Sequence, residues 1–166
     1  MKHVLLITAL LFSAATSAQT EKPQWISVED LYGRYQSTDD YSYLSNALYR
    51  CSAISSIFGA IFERDGVAGA EEYSDASFSQ ILMGNAFTAL KQQNQGADIE
   101  LDEAIADVSV LQSDMYKLMV TNYSSWLSYN YTMFGDYTSE PDMVNELRTC
   151  KVVTGFGNEL LGTLLN

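Results

Sequence analysis

From residue 40 to the C-terminus, apolar residues recur at threes and fours, the period of helices that bury one face, and no stretch alternates as a half-buried strand would. Four long helical segments are predicted, near 40–64, 70–93, 99–134 and 140–165, separated by Asp65-Gly66, by Gln92 to Gly96 and by Gly135 to Ser139. Connections this short imply antiparallel neighbours. The expected fold is therefore all-α, an up-down-up-down four-helix bundle preceded by a short N-terminal helix. That short helix starts in Ile26-Ser27-Val28-Glu29-Asp30-Leu31, where Ser27 is the cap, Asp30 can reach back to its amide, and Ile26 and Leu31 can form a hydrophobic staple. Trp25 is placed to dock this arm on the body.

The first long helix carries Tyr41, Leu44, Leu48, Cys51, Ile54, Phe58, Ile61 and Phe62 on one face, with Ser45, Ser52, Ser56 and Glu63 opposite. The last, opened by Ser139 and Pro141 as cap and first-turn residue, carries Met143, Leu147, Cys150, Val153, Gly157, Leu161 and Leu164. Its glycines at 155, 157 and 162 each cost about 1 kcal/mol relative to alanine in a helix interior, which puts a candidate break near Gly155. Gly157 reads as a point of close helix approach.

In the third helix, Leu101, Ile105, Val108, Leu111, Met115, Leu118, Met119, Trp126, Tyr129 and Met133 fall on one side. Asp102, Glu103, Asp107, Asp114, Lys117, Thr121, Ser125 and Ser128 fall on the other. The stripe is expected in the core, so that an aspartate at Leu111 would unfold the domain. Asn122-Tyr123-Ser124 and Asn130-Tyr131-Thr132 match the glycosylation pattern. The same wheel turns both asparagines inward, where they are expected to make buried polar contacts with Asn85 rather than carry glycans.

The first eighteen residues have a different texture. Lys2, an apolar run from Val4 to Phe12 and a small-residue exit through Ala14, Ala15, Thr16, Ser17 and Ala18 read as a cleaved secretory signal peptide. The run is far short of the roughly 18 to 20 residues that span a bilayer. Residues 1–18 are thus assigned to the leader, 19–39 to an N-terminal arm with the short helix, and 40–166 to the helical bundle domain. The expected location is periplasmic or extracellular, with no stable membrane insertion after leader removal.

Composition then narrows the chemistry. Nine Lys and Arg face 21 Asp and Glu, a formal net charge of −12, which repels phosphate backbones and argues against nucleic-acid binding. Two cysteines in an exported chain imply a disulfide, Cys51 to Cys150, stapling the first and last long helices. Closing a loop of about 100 residues stabilises a fold by roughly 4 to 5 kcal/mol in the chain-entropy picture. The single histidine, His3, leaves with the leader, so no imidazole remains for general-base catalysis, haem or a di-iron site. Asp98, Glu100, Asp102 and Glu103 lack the alternating oxygens and turn glycine of a calcium loop. No catalytic residue, metal site or cofactor is assigned.

Aromatics crowd the stretch from Tyr116 to Tyr137. Trp126 and Tyr129 sit on the apolar stripe and belong to the core, whereas Tyr131 points away from it and Tyr137 lies in the following loop, making these two the candidate partner contact. The reading these features favour is an exported, non-catalytic binding or protective protein of inhibitor type, its partner a basic protein or an envelope component. The alternative is a small carboxylate-dependent, cell-wall-active hydrolase, since glycoside hydrolysis needs only two suitably spaced acids.

Overall fold

The computed structural model describes residues 25–164; the leader assigned to residues 1–18 lies outside the described residues. Within them the chain forms helices α1 (Val28–Thr38), α2 (Tyr41–Asp65), α3 (Ala70–Asn94) and α4 (Leu101–Ala106), a 3-10 helix (Val108–Gln112), α5 (Asp114–Phe134) and α6 (Pro141–Leu164). No strand occurs among the described residues. Side-chain caps set the early boundaries. The Ser27 hydroxyl accepts from the Asp30 amide at 3.0 Å and donates to the Asp30 carboxylate at 2.9 Å. Ile26 stays exposed, so of the expected staple only Leu31 is buried. Asp40 caps α2 through the Ser42 amide at 2.9 Å, and α2 ends at Gly66 in the left-handed region, φ +64°, where a side chain would be strained.

Helix α2 is the hub, packed against α1, α3, α5 and α6. Its apolar face is buried as expected at Leu44, Leu48, Cys51, Ile54 and Phe58. Ser45 and Ser52, expected opposite that face, are buried as well, because α3 covers both and α5 also covers Ser52, whereas Ser56 is half-buried and Glu63 exposed. They are tolerated because each hydroxyl is bonded: Ser45 to Thr88 at 2.6 Å, Ser52 to both Ser77 and Tyr116 at 2.9 Å. The α2–α3 pairs Ser45–Thr88, Tyr49–Asn85 and Ser52–Ser77 step in opposite directions along the two helices, which run antiparallel.

Helix α6 runs unbroken through Gly155, correcting the expected break. Packing outweighs the propensity cost. A Cβ on Gly157 would meet Met83 Sδ at 3.2 Å, Phe87 at 3.6 Å and Leu48 at 3.8 Å, so the glycine lets α6 approach α2 and α3 closely. Cys51 and Cys150 are disulfide-bonded, with Cα atoms 5.3 Å apart, and tie α2 to α6.

The largest correction concerns the expected continuous helix over 99–134. It is three elements, because polar side chains intercept the backbone twice. Asp107 accepts from the Ser109 amide at 2.8 Å and Ser113 from the Tyr116 amide at 3.1 Å, each starting a new turn, with β-branched Val108 and Val110 between them. The phase of the helix is reset at each cap. Val108, Leu111, Met115, Leu118 and Met133 consequently face solvent, while Tyr116, Met119, Tyr123, Trp126, Leu127 and Asn130 form the buried face of α5. Leu111, 38% exposed, is no core residue. No helix of the described residues is long and apolar enough to cross a membrane.

Candidate functional site

One residue before Cys51 and one turn before Cys150, α2 and α6 bring together a buried charge pair. Arg50 and Glu146 are 3% and 6% exposed, with Nη2 and Oε1 3.7 Å apart. Arg50 Nε donates to the Tyr123 hydroxyl at 3.1 Å, and that hydroxyl donates to Glu146 Oε2 at 3.3 Å. Burial first, then the Glu146 charge, pushes the Tyr123 phenol above its ordinary range, so it stays protonated and able to donate.

The same knot holds the N-terminal arm. Arg50 Nη1 donates to the Ile26 carbonyl, the Val28 amide donates to both Glu146 oxygens at 3.2 Å, and the guanidinium lies 4.3 Å from the Trp25 ring centre. Trp25 also packs on Tyr123, centroids 4.9 Å apart, which is the docking the sequence led us to expect of it. Desolvating two charges is costly, and the hydrogen bonds to Ile26, Tyr123 and Val28 offset that cost, Arg50 Nη2 alone being buried without one. With its oxygens held by Val28, Tyr123 and Arg50, Glu146 serves as an anchor rather than a poised acid.

Above the knot opens a polar cleft of about 330 Å³, walled by Trp25 and Trp126 and lined by Glu29, Asp30, Asp142 and Glu146. Glu29 accepts from Asn145 Nδ2 at 2.6 Å, and Trp126 Nε1 donates to Glu140. Among the described residues no group of three His, Cys, Asp or Glu is arranged to hold a metal ion.

Tyr131 and Tyr137, six residues apart across the end of α5, stack on each other with centroids 4.7 Å apart and planes 21° apart. Tyr131 is 53% exposed and Tyr137 half-buried. The Tyr137 hydroxyl accepts from Arg64 Nη2 at 3.0 Å, Arg64 is itself held by Asp65 at 2.7 Å, and the Tyr137 carbonyl accepts from Asn130 Nδ2 at 3.0 Å. Asn130 is fully buried, as the wheel required, but its partner is this loop, not Asn85. Asn85 instead accepts from Tyr49 at 2.8 Å and donates to the Ile105 and Asp107 carbonyls at 3.1 and 2.6 Å, pinning the end of α4. Asn122 is half-buried.

Sequence reasoning missed Arg50 and Glu146. The available signal was a lone charge inside an apolar face: Arg50 sits between Leu48 and Ile54, and Glu146 lies one turn before Cys150. No family model matches the chain, and no curated protein or solved structure is found similar to it.

Proposed function

We propose that this is an exported, non-catalytic binding protein that captures a basic protein or envelope component through its acidic, tyrosine-bearing surface, after removal of residues 1–18. The observation that carries the reading is the Tyr131–Tyr137 stack. Tyr137 is fixed by Arg64 at its hydroxyl and by Asn130 at its carbonyl, and Tyr131 stacks on it beside exposed Met133 and Phe134, so part of the side-chain entropy is already lost before binding. A disulfide between α2 and α6 is compatible with an oxidising, exported location. The net charge of −12 would steer a basic partner. The opposed directions of α2 and α3 support an up-down-up-down reading of the four long helices, in which the tyrosines sit at one end. The test is affinity enrichment from exported material with the wild type and with Tyr131→Ala/Tyr137→Ala. A partner retained by the wild type, released by raised salt and lost by the variant at unchanged helical signal supports the proposal; equal retention by both overturns it.

The cleft lined by Glu29, Asp30, Asp142 and Glu146 favours a second reading, carboxylate-dependent hydrolysis of cell wall. Release of soluble fragments from purified wall, abolished by Asp142→Asn, would establish it. The fixed partners of Glu29 and Glu146 weigh against it.

A further inference from the structure

We propose that the groove between α3 and α6, floored by α2, binds a short apolar peptide of two or three residues through its free ammonium and carboxylate termini. The site is separate from the tyrosine stack and does not depend on it. Three helices line it together: α3 through Ala76 and Gln80, α6 through Cys150 and Thr154, and α2 through Ile54 and Ser55. The Ser55 hydroxyl donates to Gln80 Oε1 at 3.1 Å, and Gln80 Nε2 donates to Thr154 Oγ1 at 2.9 Å. One chain of hydrogen bonds thus joins all three helices in the wall of the groove, and the Cys51–Cys150 disulfide ties α2 to α6 beside it. Gln80 itself is only 4% exposed, so its amide is a fixed, buried polar group. The volume, about 540 Å³, falls within the range of about 300 to 1,000 Å³ that small-molecule sites occupy.

The occupant follows from the charges and the polar atoms that face this space. Gln80 bonds Thr154, and Gly157 faces Met83 and Phe87, so α3 and α6 run in the same direction. Ala76 and Cys150, each four residues before the bonded pair, then stand level, and their small side chains leave a gap that Ile54, Tyr73 and Leu147 line with apolar surface. Glu72 and Lys151 line the same groove, both exposed, and neither makes an ion pair or a side-chain hydrogen bond among the described residues. Glu72 lies eight residues before Gln80 and Lys151 three before Thr154, a stagger of five residues or about 7.5 Å of helix rise. Extended chains of two and three residues span about 7 and 10 Å. A peptide of that length sets its ammonium at Glu72 and its carboxylate at Lys151 with its side chains on the apolar wall. The Thr154 hydroxyl accepts from Gln80 and donates to no described residue, and the Ser55 oxygen donates and accepts from none, which leaves one donor and one acceptor for a peptide group. A fatty acid or an alkylamine would satisfy one charge and desolvate the other.

The test is an NMR titration of the full exported chain with leucyl-leucine and with leucyl-alanyl-leucine, each beside its N-acetylated and its C-amidated form. At least one free peptide should give saturable shifts centred on the amides of Ala76, Cys150 and Lys151, and each cap should weaken its binding at least about threefold, as loss of a solvent-exposed ion pair does. Lys151→Met should weaken the free peptide by the same factor and bind the free and amidated forms alike. Glu72→Gln should do the same for the free and acetylated forms. Both side chains are exposed, so these two changes leave the fold intact. Ala76→Leu, which fills the gap, should cost at least about tenfold in affinity; if that variant unfolds, the two charge variants decide alone. Tyr131→Ala/Tyr137→Ala should bind the peptide as the wild type does, so this groove and the tyrosine surface fail separately. No saturable shift with either peptide, shifts centred elsewhere, or affinity indifferent to the caps or to the charge variants overturns the proposal. So does octanoate binding as tightly as the better peptide, which would assign the groove to a carboxylated amphiphile.

Discussion

Helix α2 and the segment 98–118 carry apolar residues at the same spacings, yet the first is buried over most of Leu44 to Gly59 and the second leaves Val108, Leu111, Met115 and Leu118 exposed. The difference lies in what the polar residues do. In α2 they are Ser45, Ser52 and Ser55, short hydroxyls that find partners across the interface, and Arg50, which is bonded on several sides. Each hydroxyl can therefore enter the core paired, and of the Arg50 guanidinium only Nη2 is buried without a hydrogen bond, 3.7 Å from Glu146 Oε1. Along 98–118 the polar residues are capping groups, Asp107 and Ser113, which bond to their own backbone and restart the helix. Apolar period thus defines a face, while the polar residues between decide whether that face can stay in register long enough to be covered. Neither α4 nor the 3-10 helix has a fully buried residue; side-chain contacts such as Asn85 to the Ile105 and Asp107 carbonyls hold them.

The contrast breaks most visibly in the core. Glu146→Leu leaves the Arg50 charge buried without its counter-ion and the Val28 amide without its acceptor, and should lower stability by about 3 to 5 kcal/mol in urea titration. Arg50→Met/Glu146→Leu should lose less than the sum of the single changes, because no charge is then stranded. A loss below about 1 kcal/mol for Glu146→Leu would show the knot to be dispensable.

A methyl on Gly84 sharpens the link between the two regions. It would lie 2.5 Å from Tyr49 Cε1, within the ring's own space, and Tyr49 holds Asn85, which holds the end of α4. Overpacking costs about 1 to 3 kcal/mol, against a gain of about 1 from alanine's helix propensity. Gly84→Ala should therefore lower the melting temperature and free amides near residues 105–107 for exchange. An unchanged melting temperature and unchanged exchange would show that Tyr49 moves aside without cost.

Acid titration reaches the rim of α2. The Ser42 amide, then Lys91 and the Ser42 hydroxyl, hold the Asp40 carboxyl at about 2, below its ordinary 3.8. Because the folded value is the lower one, the Asp40 contribution is complete above about pH 4 and disappears as the pH falls toward 2. Both partners of the ion pair are about a third exposed, which limits the contribution to under about 1 kcal/mol. Asp40→Asn should be slightly less stable at neutral pH and should show a shallower loss from pH 4 to 2; a slope equal to the wild type's would remove Asp40 from the acid limb. Smallest of all is Leu111→Asp, which should stay within about 0.5 kcal/mol of the wild type because the site is open to solvent. Unfolding of that variant would return Leu111 to the core.

What the sequence made legible follows from the same physics. The all-helical class, the turns at Gly66 and Gly135, the Ser27 cap and the pairing of Cys51 with Cys150 all rest on local chemistry or on one strong periodicity. The break at Asp107 and Ser113 was written in capping residues that a wheel drawn through them cannot register. The centrality of α2 depends on pairings 25 to 73 residues apart, Ser52 with Ser77 and Arg50 with Tyr123, which no single helix reveals. Of the candidate contact, the sequence separated Tyr131 and Tyr137 from the core aromatics; their stacking required the turn at Gly135 to fold back.

Native-state hydrogen exchange measures the contrast between the two regions directly. Amides of α2 from Leu44 to Phe58, where all residues but Asn46 and Ser56 are buried, should exchange only through global unfolding, with protection tracking the full stability and rising with it. Amides of α4 and the 3-10 helix should exchange through local opening, at far lower protection and with little denaturant dependence. Equal protection across Leu44–Phe58 and Leu101–Gln112, with a common denaturant slope, would show one cooperative core covering both and contradict the account.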